Sequence, residues 1–240
     1  MRLPTITGTI RRRILANFRV DPVVMQQQLP SRFRPKLHNG LAVAGICMIR
    51  LEQIRPKLVP EILGIDSENA AHRVAVLWDE DGQTNEGVFI SRRDTNSKFN
   101  ALMGGRVFPG EHHESVFEVD DQDGAINIAM RSLDNAVTVA IEGKLSDRLP
   151  STSIFSSLAE ASSFFEGGAV GYSVTSDHDR LDGLRLKTRE WHVEPLAVER
   201  VYSSYFSDKT KFPGQSVEFD HALIMRNVAH EWQTVDDLYV

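Results

Sequence analysis

Asn85-Glu86-Gly87-Val88-Phe89-Ile90-Ser91-Arg92-Arg93-Asp94-Thr95-Asn96-Ser97-Lys98-Phe99-Asn100-Ala101-Leu102-Met103-Gly104-Gly105-Arg106-Val107-Phe108-Pro109-Gly110 is the stretch on which the reading of this chain turns. Glu86 to Arg92 reads as an apolar strand that ends in charge. Ser97 to Met103 reads as a short helix, with Gly104 offering the left-handed residue that closes it. Cations and an acid therefore gather where a strand meets a helix, a common position for binding sites.

Outward from this stretch, His72 to Trp78 reads as a strand, and the Asp79-Glu80-Asp81-Gly82 turn joins it to Glu86–Arg92 as a hairpin. Leu41 to Leu51 is an apolar run with little alternation, hence a strand buried on both faces. Asp21-Pro22 reads as an N-cap followed by proline at the first helical position, and Leu29-Pro30 stops that helix. Ser115–Val119, Ala125–Arg131 and Asn135–Glu142 form a meander punctuated by Asp123-Gly124 and Asp134-Asn135. Ile154, Phe155, Leu158, Ala161 and Phe165 recur at helical spacing between Ser153 and Gly167-Gly168. Ala169–Thr175, Leu184–Thr188, Trp191–Tyr205 and Phe219–Met225 complete the strands. No repeat or linker divides the chain. The expectation is one α+β domain over residues 1–240: a mostly antiparallel curled sheet or cone-shaped β-barrel with a few short helices.

The chain has 240 residues, 41% of them hydrophobic and 25% charged, with a formal net charge of −6. That balance argues against a nucleic-acid binder, which would carry a net basic face. Arg11-Arg12-Arg13 reads as a strand with solvated arginines. No run reaches the length of a membrane span. Met1-Arg2-Leu3-Pro4-Thr5 lacks the apolar core of a signal peptide, so a cytoplasmic protein is expected. The one cysteine, Cys47, lies in the apolar run and reads as a small buried hydrophobe.

Several clusters invite chemistry. Glu111-His112-His113-Glu114 has imidazoles, but neighbours in an extended segment point to opposite faces, so no metal and no cofactor is expected. Asp120-Asp121-Gln122-Asp123-Gly124 lacks the ligand pattern of a calcium loop and reads as a turn. Asp177-His178-Asp179-Arg180 reads as an exposed loop. Phe219-Asp220-His221-Ala222 puts two ionisable groups into an apolar strand, where a buried one needs a partner. Lys98 sits beside Phe99, Leu102 and Met103 and near Arg92, Arg93 and Arg106. Such surroundings could lower a lysine pKa, although an exposed first-turn lysine is the plainer reading.

Three segments together resemble the acetoacetate decarboxylase-like superfamily. They are Arg11 to Asp21 with the Leu29-Pro30 stop, Asn85 to Arg93, and Phe219-Asp220-His221-Ala222. Arg92 to Thr95, Gly104 to Pro109, Trp191 to Leu196 and Asp220 to Asn227 are similar to an uncharacterised branch of it. The resemblance implies a cone-shaped β fold around a small-molecule pocket, often in oligomers. It also implies that the lysine pair of the decarboxylases falls on Asn100 and Ala101, with Lys98 two residues early. Arg11 falls on the arginine that binds the substrate carboxylate, and the position of an active-site glutamate falls near Gly45, which cannot act as an acid. The expected function is binding of a small carboxylic or keto acid, lyase-like without the usual Schiff-base lysine. The expected binding residues are Arg11, Glu86, Arg92, Arg93, Asn100, Arg106 and His221, with Lys98 the candidate catalytic residue. The alternative is a non-catalytic protein that binds an apolar metabolite or a partner chain.

Overall fold

A computed structural model describes residues 5–103 and 110–240. Gly104 and Arg106, read above as a helix cap and a site cation, lie outside the described residues. In chain order the elements are β1 (Ile6–Val20), α1 (Pro22–Gln26), β2 (Arg34–Pro35), β3 (Leu37–His38), β4 (Leu41–Pro56), β5 (Ile65–Glu80), β6 (Gln83–Thr95), α2 (Lys98–Met103), β7 (His112–Gln122), β8 (Ala125–Ser132), β9 (Thr138–Leu145), α3 (Leu158–Glu166), β10 (Val170–Val174), β11 (Arg180–Thr188), β12 (Glu194–Ser203), α4 (Ser204–Ser207) and β13 (Val217–Tyr239).

The strands form one sheet in the order β11-β10-β6-β7-β8-β9-β12-β13-β1-β4-β5-β2, with β3 beside β4. β6 also pairs with β5, and β11 with β13, so the sheet curls back on itself. Its pairings are antiparallel except β6 with β7 and β6 with β10, which makes it a mixed sheet. No described helix is long and apolar enough to cross a membrane.

Turn chemistry sets the hairpins. Asp81-Gly82 joins β5 to β6, Asp123-Gly124 joins β7 to β8, and Asn39-Gly40 joins β3 to β4. In each pair both residues have positive φ, the two-residue geometry that matches strand twist. At α1, Asp21 Oδ1 accepts from the Val23 and Val24 amides, as its position before proline predicts. The periodicity around Ile154 placed a helix start too early. Ser153 Oγ and the Ile154 amide both donate to the Asp220 carboxylate, which holds that segment out of the helix. The helix begins only after Ser157, whose Oγ accepts from the Glu160 amide.

Two apolar clusters lie on the two faces of the central strands. Ile14, Ala16, Phe18, Ala44, Ile46, Met48 and Val74 belong to the larger one. Leu15, Val43, Cys47, Phe155, Phe165 and Leu223 belong to the other. The alternation is not kept along the whole strand. Ile10 and Leu15 share a cluster on β1, as do Leu51 and Ile54 on β4 and Met225 and Val228 on β13. Odd spacing on β4 and β13, and an odd separation on β1, require a slipped residue. Arg11 on β1 drops out of both its registers, and Gln53 on β4 and Asn227 on β13 each have φ of 56°. These irregularities act as β-bulges, each of which switches the face of every residue beyond it.

Candidate functional site

Among the described residues, β1, β4, β5, β6, β7, β10, β11 and β13, with α2, line a cavity of about 140 Å³. Its floor is built by cross-strand neighbours. Leu15, Cys47, Ala71 and Arg93 stand opposite one another in a row across β1, β4, β5 and β6. The adjacent row is Asn17, Gly45 and Arg73. Ile49, Leu51, Ile90, Leu184, Leu186 and Trp232 supply apolar walls. The residues just before β10 and at its start, Gly168, Ala169 and Gly171, keep one side low.

Among the described residues, three arginines line this space: Arg13, Arg73 and Arg93. None forms an ion pair among the described residues. Arg73 is 4% exposed. Its Nη2 donates to Asn17 Oδ1 at 2.5 Å, its guanidinium lies 5.1 Å from the Phe165 ring centroid, and its Nε is buried without a partner. Gly45 stands between Arg73 and Asn17 in the register, so the side chain reaches from β5 across β4 to β1 over a residue with no Cβ. Arg93 Nε donates to Ser173 Oγ at 3.0 Å. Arg13 Nε donates to Cys47 Sγ at 3.2 Å, and its Nη1 is buried without a partner. Burial pushes Arg73 and Arg93 down to about 10, which leaves both protonated at neutral pH.

Other polar groups complete the lining. Asn100, on α2, is 8% exposed, and its Oδ1 has no hydrogen-bond partner. His112 Nδ1–H donates to the Gly110 carbonyl at 3.1 Å. Burial first, and then Arg93, press this imidazole down to about 3, so it is neutral. Asp94 is fully buried and committed to Arg92 and to the Ser115 hydroxyl.

A hydrogen-bond chain behind the floor fixes Arg73. Asn17 Oδ1 accepts from the guanidinium, so Asn17 Nδ2 must donate to His221 Nε2, 3.0 Å away. His221 Nε2 is therefore an acceptor, and Nδ1–H donates to Asp220 Oδ2 at 2.6 Å. Ser153, the Ile154 amide and Arg19 also donate to that carboxylate, and its hydrogen bonds, that from His221 foremost, outweigh desolvation to hold it below its usual pKa. Asp220 and His221 are both buried, although neighbours in a strand alternate faces. The β1–β13 register slips at this point, from Asn17 opposite His221 to Phe18 opposite Phe219, and the slip brings Asp220 round to its neighbour.

The residues anticipated from sequence divide as follows. Arg93 and Asn100 line the cavity, and His221 stands one hydrogen bond behind it. Arg11 does not line it: as the bulge residue it faces solvent and donates to Asn227 Oδ1 at 2.6 Å. Arg13, two residues on, lines the cavity in its stead. Arg12 is not solvated either; it is buried against Glu68, with Nη2 to Oε2 at 2.6 Å. Glu86 pairs with Lys36 at 2.7 Å, away from the cavity. Arg92 pairs with Asp94 and Asp134. Lys98 is exposed and does not line the cavity. His112 and His113 diverge, the latter toward Asp134 at 3.4 Å. Arg13, Arg73 and Cys47 were missed as site residues. Arg73 had a signal, because a charge directly before the apolar run Val74-Ala75-Val76, in the same strand, must answer for its burial.

The sequence profile of DUF2071, an uncharacterized conserved protein family, matches residues 7–224. Among curated proteins none matches the chain. Solved structures share its fold at low identity. Acetoacetate decarboxylase from Legionella pneumophila is 9% identical with a TM-score of 0.59, over 98% of this chain and 88% of that one. An acetoacetate decarboxylase-like enzyme from Sphingomonas wittichii is 10% identical with a TM-score of 0.57, over 99% and 92%. The enduracididine biosynthesis enzyme MppR, complexed with pyruvate, is 10% identical with a TM-score of 0.59, over 100% and 91%. The profile match covers most of the chain and the solved structures share its fold: the chain belongs to the DUF2071 family and has the acetoacetate decarboxylase-like fold.

Proposed function

We propose that this protein binds a small carboxylic acid of keto-acid size in the cavity between β1, β4, β5 and β6. One observation carries the reading: Arg13, Arg73 and Arg93 line one small cavity with no carboxylate paired to them among the described residues. Buried cations without counter-charges are costly, and a bound carboxylate relieves that cost. The guanidinium fork suits a carboxylate in geometry as well as charge. A cavity of roughly 150 Å³ accepts a benzene-sized ligand, so about six to ten heavy atoms is the matching scale. Asn100 offers both an acceptor and a donor for an oxo or hydroxyl group on such an acid. MppR, of the same fold, is complexed with pyruvate, a ligand of this class.

No lysine lines the cavity among the described residues. Lyase-like chemistry here would rest on the guanidinium groups stabilising charge on an enolate, not on a lysine imine. Calorimetric titration with pyruvate and acetoacetate tests binding. Arg73→Met removes one charge-assisted contact, worth ~1.5–3 kcal/mol, and should weaken binding roughly tenfold to hundredfold. Unchanged affinity in a folded Arg73→Met protein refutes the site. Borohydride treatment with either acid should leave Lys98 unmodified, and an adduct there would overturn the imine-free reading.

A further inference from the structure

We infer that Cys47 is a nucleophile placed to attack the carbon next to a bound carboxylate, and that the cavity takes 2-oxo acids for this reason. The inference rests on the carboxylate reading above and deepens it. Cys47 is the one cysteine of the chain, and it lines the cavity. Its place among the arginines follows from the register. On β4 it faces Leu15 of β1 and Ala71 of β5. Arg13 faces Ile49, two residues along β4 in one direction, and Arg73 faces Gly45, two residues along in the other. Each arginine is thus a diagonal neighbour of Cys47, at a backbone separation of roughly 7–8 Å that long side chains span. Arg93 lies in the row of Cys47 itself, and only the methyl group of Ala71 stands between them in the register. Arg13 Nε donates to Sγ at 3.2 Å. Burial lowers Arg73 and Arg93, and the ionised sulfur of Cys47 is the next influence on each, in the raising direction. The thiolate is the form of cysteine that attacks carbon, and adjacent cations favour it.

Two buried groups on the cavity wall point to a ligand beside this sulfur. Arg73 is 4% exposed and its Nε has no partner; Asn100 is 8% exposed and its Oδ1 has none. Buried polar groups are normally hydrogen-bonded, so an open donor and an open acceptor on one wall mark where a ligand completes the set. Because the arginines flank Cys47 along β4, a carboxylate held by them leaves its adjoining carbon beside Sγ. In a 2-oxo acid that carbon is the carbonyl carbon. The sulfur attacks it, one C–S bond forms, and the carbonyl π pair moves to oxygen. The proton that leaves the thiol ends on that oxygen. The product is a thiohemiketal, formed without oxidant, reductant or co-reactant. Arg73 Nε–H suits the oxygen while it carries charge, and Asn100 Oδ1 suits the hydroxyl it becomes.

Iodoacetate tests the nucleophile, because its reacting carbon also adjoins a carboxylate. Sγ displaces iodide, and the thiol proton passes to solvent. Iodoacetamide is the neutral control of the same size. With one cysteine in the chain, intact and peptide mass spectrometry at pH 7.5 assign the label. The ratio of the iodoacetate rate to the iodoacetamide rate should exceed the same ratio for glutathione by at least about tenfold, the least that one charge-assisted contact supplies. Pyruvate should slow the labelling. A smaller preference overturns the inference, as does a thiol that labels in urea but not in the folded protein. Pyruvate labelled with carbon-13 at C2 should show, by NMR, a protein-bound tetrahedral carbon that is lost in Cys47→Ala. Bound pyruvate whose C2 stays a ketone overturns the 2-oxo-acid assignment. If Cys47→Ala fails to fold, the wild-type rates and spectrum still decide. In each of these failures, calorimetric binding of pyruvate or propionate leaves the carboxylate site standing. Absence of binding by both acids overturns both readings.

Discussion

Acid should destabilise this protein through His72, and the size of the effect follows from its surroundings. His72 lies on β5 between two cavity residues, Ala71 and Arg73, but turns to the opposite face. There it is 1% exposed, beside Tyr205 and Phe206 at centroid distances of 5.1 and 6.2 Å. Neither ring nitrogen has a hydrogen-bond partner. Burial, helped by Arg92, presses it down to about 3. Between pH 6.5 and 3 the unfolded chain therefore binds a proton that the folded chain refuses, so stability falls as pH falls through that window. At pH 5.5, one unit below the unfolded value, the loss is ~1.4 kcal/mol for this group. His112 and His230, pressed down to about 3 and about 4, act in the same direction. Urea unfolding followed by circular dichroism at pH 7.5 and 5.5 measures the change. In His72→Phe, which keeps a ring among aromatic neighbours, the loss between the two pH values should be smaller by ~1.4 kcal/mol. The variant should also be more stable at pH 7.5, because two unpaired buried nitrogens are gone. An equal pH-dependent loss in wild type and variant would refute the reasoning.

Three further outcomes are expected. Asp220→Ala leaves the His221 Nδ1–H and the Ile154 amide unpaired, and should cost ~2–5 kcal/mol in thermal or urea unfolding; a change below ~0.5 kcal/mol would show that the chain behind Arg73 is not structural. Gly45→Ala puts a Cβ 2.4 Å from the Ala16 carbonyl oxygen, so it should cost ~1–3 kcal/mol and weaken carboxylate binding by shifting β4 under Arg73; a neutral substitution would mean the strands can part there at no cost. Carboxylate affinity should be flat from pH 7.5 to 9 and fall as pH rises through about 10, where Arg73 and Arg93 lose their protons; titrations at pH 7.5, 9 and 10.5 check this, and an affinity that rises with pH contradicts it.

Much of the fold was legible because turns and apolar runs are local. Asp81-Gly82 and Asp123-Gly124 fixed two hairpins, and Asp21-Pro22 fixed the start of α1. The site was legible only in part. Arg93 and Asn100 were found on the strand-to-helix stretch, and the need of Asp220 and His221 for partners was visible in their apolar setting. The choice between Arg11 and Arg13 was not, since it depends on a slipped residue that matches no motif. Asn17 and Arg73 were invisible as a pair because 56 residues separate them and only the register over Gly45 joins them. The early start given to α3 had the same root: a distant carboxylate, Asp220, outcompeted a local helical pattern.

The slip at Arg11 behaves like a frameshift written in side-chain direction instead of codons. Upstream of it, even-numbered residues such as Ile6 and Ile10 turn toward the cavity face; downstream, odd-numbered ones such as Arg13 and Leu15 do. Deleting the single residue Arg11 would restore strict alternation and leave one half of β1 out of phase with its neighbours. The compensating change would be a matched deletion at Asn227 on β13 or Gln53 on β4, where the same strands already carry their own slips. Insertions and deletions in relatives of this chain should therefore occur at these positions together, and an alignment that ignores them will assign the cavity-lining arginine to the wrong member of the Arg11-Arg12-Arg13 triplet.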